Sequence, residues 1–359
     1  MKVASSAPQP KLGWMDLSPF GFSKRRAALI VLGAGATRGA SFVAESSVLR
    51  PPLDADFFLQ LRASDFAQEH DRQALLEFVR EEFGDSDPSM EAFYSQVYLH
   101  DQFVADLPKG KGRRRRYEWA MQRFLRLIPP LFGSAIPDEN CRWHDALVAG
   151  LDADDAIVSF NYDRVVDRSL RDVAKRKWDP RRGYDVEAGG AVASWMDHSG
   201  TGRFVKEGHR LLKLHGSLNW RLGNQQQLQL TEDPYARPEP DEPLCIIPPL
   251  WQKSVDEPPF HDLWISSRAL LTTRKAVLFI GYSLPPTDVY TQAMLRIDVP
   301  NLDFLLIANP DPEARARLKR VLQSALRSGT RVVELDRMSD VGQILSDANS
   351  EAEATPAFQ

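Results

Sequence analysis

Four short runs constrain this chain more than anything else in it: "AALIVLG" (27–33), "AIVSF" (156–160), "AVLFIGY" (276–282) and "DFLLIA" (303–308). Each is continuously apolar, rich in Val, Ile, Leu or Phe, and too short for an ordinary helix. Unbroken apolarity requires burial on both faces, as in a parallel sheet covered by helices. Helical patterns lie between or after them. "DVYTQAMLR" (288–296) follows one strand, and "DPEARARLKRVLQSAL" (311–326) follows another with an Asp and a Pro at its start. The alternation predicts an α/β fold, a Rossmann-like doubly wound and mostly parallel sheet. "RVVEL" (331–335) reads as its last strand.

Between the first two runs lies a stretch too long for a simple crossover. "DRQALLEFVREEF" (71–83), "SMEAFYSQVYL" (89–99), "YEWAMQRFLRLI" (117–128) and "RWHDALVAGL" (142–151) each carry one apolar helical face. The expected layout is an N-terminal extension (1–24), one domain over 25–345 with a helical insertion at about 65–152, and a disordered tail (346–359). Segments 183–204 and 232–243 read as loops, the first rich in glycine and the second in proline and acid.

Composition excludes several classes. A net charge of -4 gives no global nucleic-acid signature. Two cysteines, Cys141 and Cys245, cannot form a four-ligand zinc cluster or a disulfide framework, so no metal site is expected and a reducing cytoplasm fits best. The apolar runs are far below the ~20 residues that span a bilayer. The basic run "KGKGRRRR" (109–116) invites nucleic-acid contact. Flanking acids favour a solvated loop, Arg113–Arg116 included, leading into a helix at Tyr117; an acidic protein surface would suit the same arginines.

The strand ends carry the polar chemistry. "GAGAT" (33–37) joins strand to helix through Gly33 and Gly35, where backbone N–H groups can meet a phosphate. It departs from G-x-G-x-x-G, since Arg38 holds the third glycine position and Gly39 comes one residue late. A glycine turn of this kind is also common without a ligand. "FNYD" (160–163) places Asn161 and Asp163 beyond the second strand, where one of them can cap a helix and the other face a cleft. "GYSLPPTD" (281–288) and "NPDP" (309–312) repeat the pattern with Gly281, Ser283 and Asn309. "KLHGSLNW" (213–220) adds His215 at a fifth strand end.

Together, "GAGAT", "FNYD", "KLHGSLNW", "IIPPLWQK" (246–253), "GYSLPPTD" and "NPDP" closely resemble the sirtuin-like family, above all its branch in bacterial antiphage defence. The resemblance runs from about Ala27 to Pro312. It implies an enzyme that binds NAD as substrate and cleaves its nicotinamide–ribosyl bond. Gly33, Ala34, Gly35 and Thr37 would hold the diphosphate. Asn161 would position the ribose and the attacking water, and Asp163 would contact the nicotinamide amide. His215 would be the general base, and Gly281, Ser283 and Asn309 would line the adenosine half. Deacylating sirtuins carry a glutamine where this chain has Phe160, and a four-cysteine zinc module that two cysteines cannot build.

An NAD hydrolase without zinc is therefore the expectation. An NAD-dependent deacylase or ADP-ribosyltransferase, and a non-catalytic nucleotide-binding assembly subunit, are the alternatives. An NAD-destroying enzyme needs a gate, and no second domain of ordinary size fits after "RVVEL". The expectation is an oligomeric effector controlled by another polypeptide. The resemblance suggests a HerA-type ATPase first.

Overall fold

The computed structural model describes residues 27–66, 69–105, 111–174, 177–186, 208–223, 228–238, 243–251, 253 and 255–345. The expected N-terminal extension, the tail and most of the glycine-rich stretch lie outside them.

The first apolar run forms β1 (Ala28–Leu32), which leads into a short α1 (Ala34–Arg38). A helical stretch follows: α2 (Phe57–Ala63), α3 (Glu69–Phe83), α4 (Met90–Ala105), α5 (Lys111–Ala135) and α6 (Arg142–Ala149). The chain then makes β2 (Ala156–Ser159), α7 (Val165–Ser169), α8 (Pro180–Gly183) and β3 (Arg210–Lys213). Three strands, β4 (Gly216–Leu222), β5 (Leu228–Leu230) and β6 (Leu244–Ile246), precede α9 (Phe260–Thr273). The last elements are β7 (Ala276–Ile280), α10 (Val289–Asp298), β8 (Phe304–Ala308), α11 (Pro312–Val321) and β9 (Arg331–Leu335).

Six strands form one parallel sheet in the order β3-β2-β1-β7-β8-β9. Counted along the chain, its strands run 3-2-1-4-5-6, the doubly wound order with a switch point between β1 and β7. Strands β1, β7 and β8 are buried along their whole length, as unbroken apolar sequence requires. Pairing fixes the strand ends at one level: Lys213 opposes Ser159, Ser159 opposes Leu32, Leu32 opposes Ile280, Ile280 opposes Ala308, and Ala308 opposes Leu335. The polar turns that follow therefore emerge side by side along one edge.

Strands β5, β4 and β6 make a separate antiparallel sheet that the apolar runs do not announce. Its central strand carries Asn219 and Arg221, both buried, so the sequence lacks the alternation of a half-solvated strand. Helix α9 was also not legible from the strand–helix alternation.

The stretch at 109–116 needs correction. Residues from Lys111 onward are helix, so Arg113–Arg116 open α5 and do not form a loop. Arginine is a good helix former, and acids wait at the right places. Arg114 pairs with Glu118 one turn on, at 3.0 Å, and with Asp101 of α4 at 3.4 Å. Arg116 reaches Glu81 at 2.6 Å and Glu82 at 3.1 Å in α3, and lies 5.0 Å over the Phe78 ring. The same helix continues through Pro129 and Pro130 to Ala135 instead of stopping at Ile128. Phe124, Leu127, Ile128, Leu131 and Phe132 are all buried, and that burial outweighs the ~3 kcal/mol that an interior proline costs. Phe57, Phe58, Phe93 and Phe124 pack ring against ring at 4.9–6.1 Å, which welds α2, α4 and α5 together.

Candidate active site

Two adjacent strand ends bring the expected catalytic residues together. Beyond β2, Asn161 and Asp163 are buried and meet Thr37 of α1. The Thr37 hydroxyl donates to Asp163 Oδ2 at 2.8 Å, and Asn161 Nδ2 donates to Thr37 Oγ1 at 3.2 Å. The other carboxylate oxygen of Asp163 accepts from the Val165 backbone at 3.1 Å, so Asp163 satisfies the first N–H of α7, whose N-cap residue is Arg164. One oxygen serves the helix and the other the cluster.

Beyond β3, Gly216 has φ +77°, which turns the chain sharply from β3 into β4. His215 sits at that corner, with its carbonyl accepting from Ile247 N at 3.0 Å. Its ring meets Phe160 edge-on at 5.1 Å, and Phe160 stacks flat on Tyr282 at 4.5 Å. The aromatic Phe160 thus props the imidazole from below.

Two polar atoms in this cluster are buried without a partner: Asn161 Oδ1 and His215 Nε2. Burial first, then the nearby Lys253 ammonium, lowers the His215 pKa from 6.5 to about 4, against the opposing pull of Asp288 and a hydrogen bond to the Phe160 backbone. A hydrogen bond that favours the protonated ring comes from an N–H donating to the Phe160 carbonyl. With Nε2 unpartnered, the proton belongs on Nδ1 and the lone pair on Nε2. His215 is a neutral base at pH 7.

Lys253 belongs to a buried charge junction that sequence reading missed. Its Nζ lies 3.3 Å from Glu91 Oε1 in α4 and 3.4 Å from Asp288 Oδ1, which caps α10. Asp288 also accepts from Tyr282 OH at 2.8 Å and Thr291 Oγ1 at 2.9 Å. Burial works to raise the Asp288 pKa, but Lys253, His215 and these hydroxyls hold it below the usual carboxylate value. The motif "IIPPLWQK" ends in Lys253, so its signal was visible; the partner Glu91, 162 residues away, was not. A histidine proton titration by NMR should show His215 titrating near 4. Because the Lys253 charge opposes protonation, Lys253→Met should move that value upward, towards 6.5. An unchanged titration would dissociate Lys253 from the ring.

The glycine turns serve the fold directly. Gly33 N donates to Ile280 O at 3.0 Å, and Gly35 N donates to Gly281 O at 2.9 Å. A Cβ on Gly33 would stand 2.5 Å from Tyr282 Cα, and one on Gly35 2.7 Å from Gly281 O. In this conformation neither glycine offers a free N–H to a diphosphate; Ala34 lies between them. Arg38, at the third glycine position, donates to Pro51 O at 2.7 Å and pairs with Asp56. Asn309 is buried, with its Nδ2 on Tyr282 O at 3.2 Å and its Oδ1 accepting from Asp311 N at 2.9 Å. The Ser283 carbonyl accepts from Arg317 at 2.9 Å. Gly281 N donates to Ala308 O at 2.8 Å, so Gly281 and Asn309 sit on joined turns after β7 and β8, while Ser283 is held by Arg317.

Among the described residues no group of three His, Cys, Asp or Glu could hold a metal ion, and no helix is long and apolar enough to cross a membrane. Cys141 and Cys245 are both buried free thiols.

Comparison with known proteins gives a family match over part of the chain. Residues 155–324 match the family model of the SIR2-like domain. The matched segment runs from the start of β2 past the end of α11. It contains Asn161, Asp163, His215, Gly281, Ser283 and Asn309, and it leaves out the β1 glycine turn and the helical stretch. The SIR2-like match indicates an NAD-related enzyme. No curated protein matches the chain. A solved structure described as "Structural Basis for the Mechanism and Regulation of Sir2 Enzymes" aligns over 95% of this chain and 99% of its own, at 12% identity and a TM-score of 0.44. So distant a likeness adds nothing to the fold already evident in the strand order.

Proposed function

We propose that this chain is an NAD hydrolase that cleaves the nicotinamide–ribosyl bond. The observation that carries the reading is the pair of buried, unpartnered acceptors, Asn161 Oδ1 and His215 Nε2, at neighbouring strand ends inside the SIR2-like segment. A buried acceptor without a donor is costly unless a ligand supplies one. Water and a ribose each bring hydroxyl donors, so the two orphans fit the two groups the reaction must place.

The chemistry asks for little else. As the C1′–nitrogen bond breaks, its electron pair neutralises the nicotinamide ring charge. Water adds to C1′ on the open face and loses a proton, and the products are nicotinamide and ADP-ribose. Asn161 Oδ1 accepts from that water and orients it. His215 Nε2 accepts from a ribose hydroxyl and can take up the proton as general base. Asp163 and Thr37 hold Asn161 in place, with Asp163 near enough to the cluster to meet the nicotinamide amide. Gly33, Ala34, Gly35 and Thr37 on one side of the switch point, and Gly281, Ser283 and Asn309 on the other, frame the diphosphate and adenosine ends. No step uses zinc.

The test is release of nicotinamide and ADP-ribose from NAD by the purified full chain. The measurement is made alone and with the product of a neighbouring gene, a HerA-type ATPase where one is encoded. Turnover that does not depend on an acylated peptide favours hydrolysis over deacylation. NAD left intact under every condition would overturn the reading and favour a nucleotide-binding assembly subunit. The same proposal includes an effector role in antiphage defence and self-assembly in a cytoplasmic setting. Mass in solution, measured with and without the partner, checks the assembly: a strictly monomeric chain with full unregulated turnover would sink it.

A further inference from the structure

We infer that Lys213 is the residue that positions Asn161 and His215 relative to each other. The inference rests on the NAD hydrolase reading, which makes those two residues a working pair.

Lys213 is the last residue of β3, two before His215, and it is wholly enclosed, with a side-chain exposure of 0%. Its ammonium lies 3.1 Å from Asp167 Oδ2 in α7, which is equally enclosed at 0%. The same ammonium donates to the backbone carbonyl of Asp163, and Tyr184 OH donates to the second oxygen of Asp167. It is sealed from solvent and touches no open surface, so it cannot meet substrate.

A buried ion pair of this kind is weak evidence for stability. Two well-packed apolar side chains of similar volume commonly serve a fold as well or better. What the ammonium adds is a directional tie. Its hydrogen bond to the Asp163 carbonyl fastens the end of the strand that leads into His215 to the turn that carries Asn161. From there the tie continues: the Asp163 side chain accepts from Thr37, and Thr37 accepts from Asn161. Three hydrogen bonds, joined through the covalent frame of Asp163, therefore link β3 to the Asn161 amide. Without Lys213 the Asp163 carbonyl would be a buried acceptor with no donor, and the turn would shift to find one. A displacement of about 1 Å in such a site can lower turnover ~10²-fold.

The experiment compares two variants of the full chain. Lys213→Met combined with Asp167→Leu removes both charges and leaves no stranded ion. It should fold, with a melting temperature lowered by the two buried polar groups it strands, the Asp163 carbonyl and the Tyr184 hydroxyl. Its kcat for NAD should fall ~10²-fold with KM changed by less than about threefold. Asp167→Asn leaves the ammonium without a counter-ion and should melt earlier, but it keeps an amide oxygen beside Lys213 and the bond to the Asp163 carbonyl, so the folded variant should retain most turnover. An activity-independent readout accompanies these. The NMR signals of the Asn161 side-chain amide and the His215 ring should move in the double variant and stay in place in Asp167→Asn.

Wild-type kcat in the double variant would overturn the inference. So would unmoved Asn161 and His215 signals, or a double variant that cannot fold, which would make the pair a stability element. A wild type inert towards NAD would overturn the hydrolase reading alone, since the NMR comparison still judges Lys213.

Discussion

His215→Ala and Asn161→Ala should each lower NAD turnover ~10²–10⁴-fold and leave the fold standing. The prediction separates cleanly because the two side chains contribute little to stability. His215 Nε2 has no hydrogen-bond partner, so truncation removes a desolvated polar atom along with the edge-on contact to Phe160 and one hydrogen bond to the Phe160 carbonyl, worth ~1 kcal/mol. Asn161 gives up one hydrogen bond to Thr37, worth ~1 kcal/mol, and its orphaned Oδ1 goes with it. Thr37 keeps its bond to Asp163, so the cluster stays assembled. Melting temperatures should therefore move only a few degrees while nicotinamide release collapses. Either variant turning over NAD at more than about a tenth of the wild-type rate would remove that residue from the chemistry.

The parallel sheet was legible because burial on both faces leaves a trace in one dimension. "AALIVLG", "AIVSF", "AVLFIGY" and "DFLLIA" appear as β1, β2, β7 and β8. The polar turns were legible for the same reason, since a buried strand must end somewhere wet. What could not be read was anything set by register or by distant pairing. Lys213 shows no sign in sequence of being an enclosed cation, because Asp167 lies 46 residues away. The Glu91–Lys253–Asp288 junction joins three separate parts of the chain. Arg113–Arg116 was misread because a run of like charges suggests repulsion and solvent. The acids of α3 and α4 that offset Arg114 and Arg116 are recognisable only once the helices pack. The glycines of "GAGAT" were read for a ligand, while their nearest neighbour is the backbone of Gly281 and Tyr282.

That last contact yields the largest expected effect on stability. Gly281 has φ +64°, a left-handed conformation that an L side chain enters at a cost of ~1–2 kcal/mol. The greater obstacle is space. A Cβ at Gly281 would stand 1.9 Å from Ala36 N and 2.3 Å from Gly35 C. Both are backbone atoms, so no rotamer change relieves the clash. The turn after β7 would have to lift off α1, breaking the bond from Gly35 N to Gly281 O and disturbing Gly33 N on Ile280 O. Gly281→Ala should therefore lose more than ~4 kcal/mol, in the range reserved for forced backbone rearrangement, and is expected to melt far earlier or fail to accumulate as folded protein. Two other glycines calibrate the argument. Gly84 has φ +76° with nothing within 4 Å, so Gly84→Ala should cost only the conformational ~1–2 kcal/mol. Gly329 has neither the left-handed φ nor a close neighbour, so Gly329→Ala should be neutral or stabilising by up to ~1 kcal/mol. Urea unfolding of the three variants should rank them in that order. Gly281→Ala unfolding within ~1 kcal/mol of Gly84→Ala would mean that the two turns are not pressed together at the switch point.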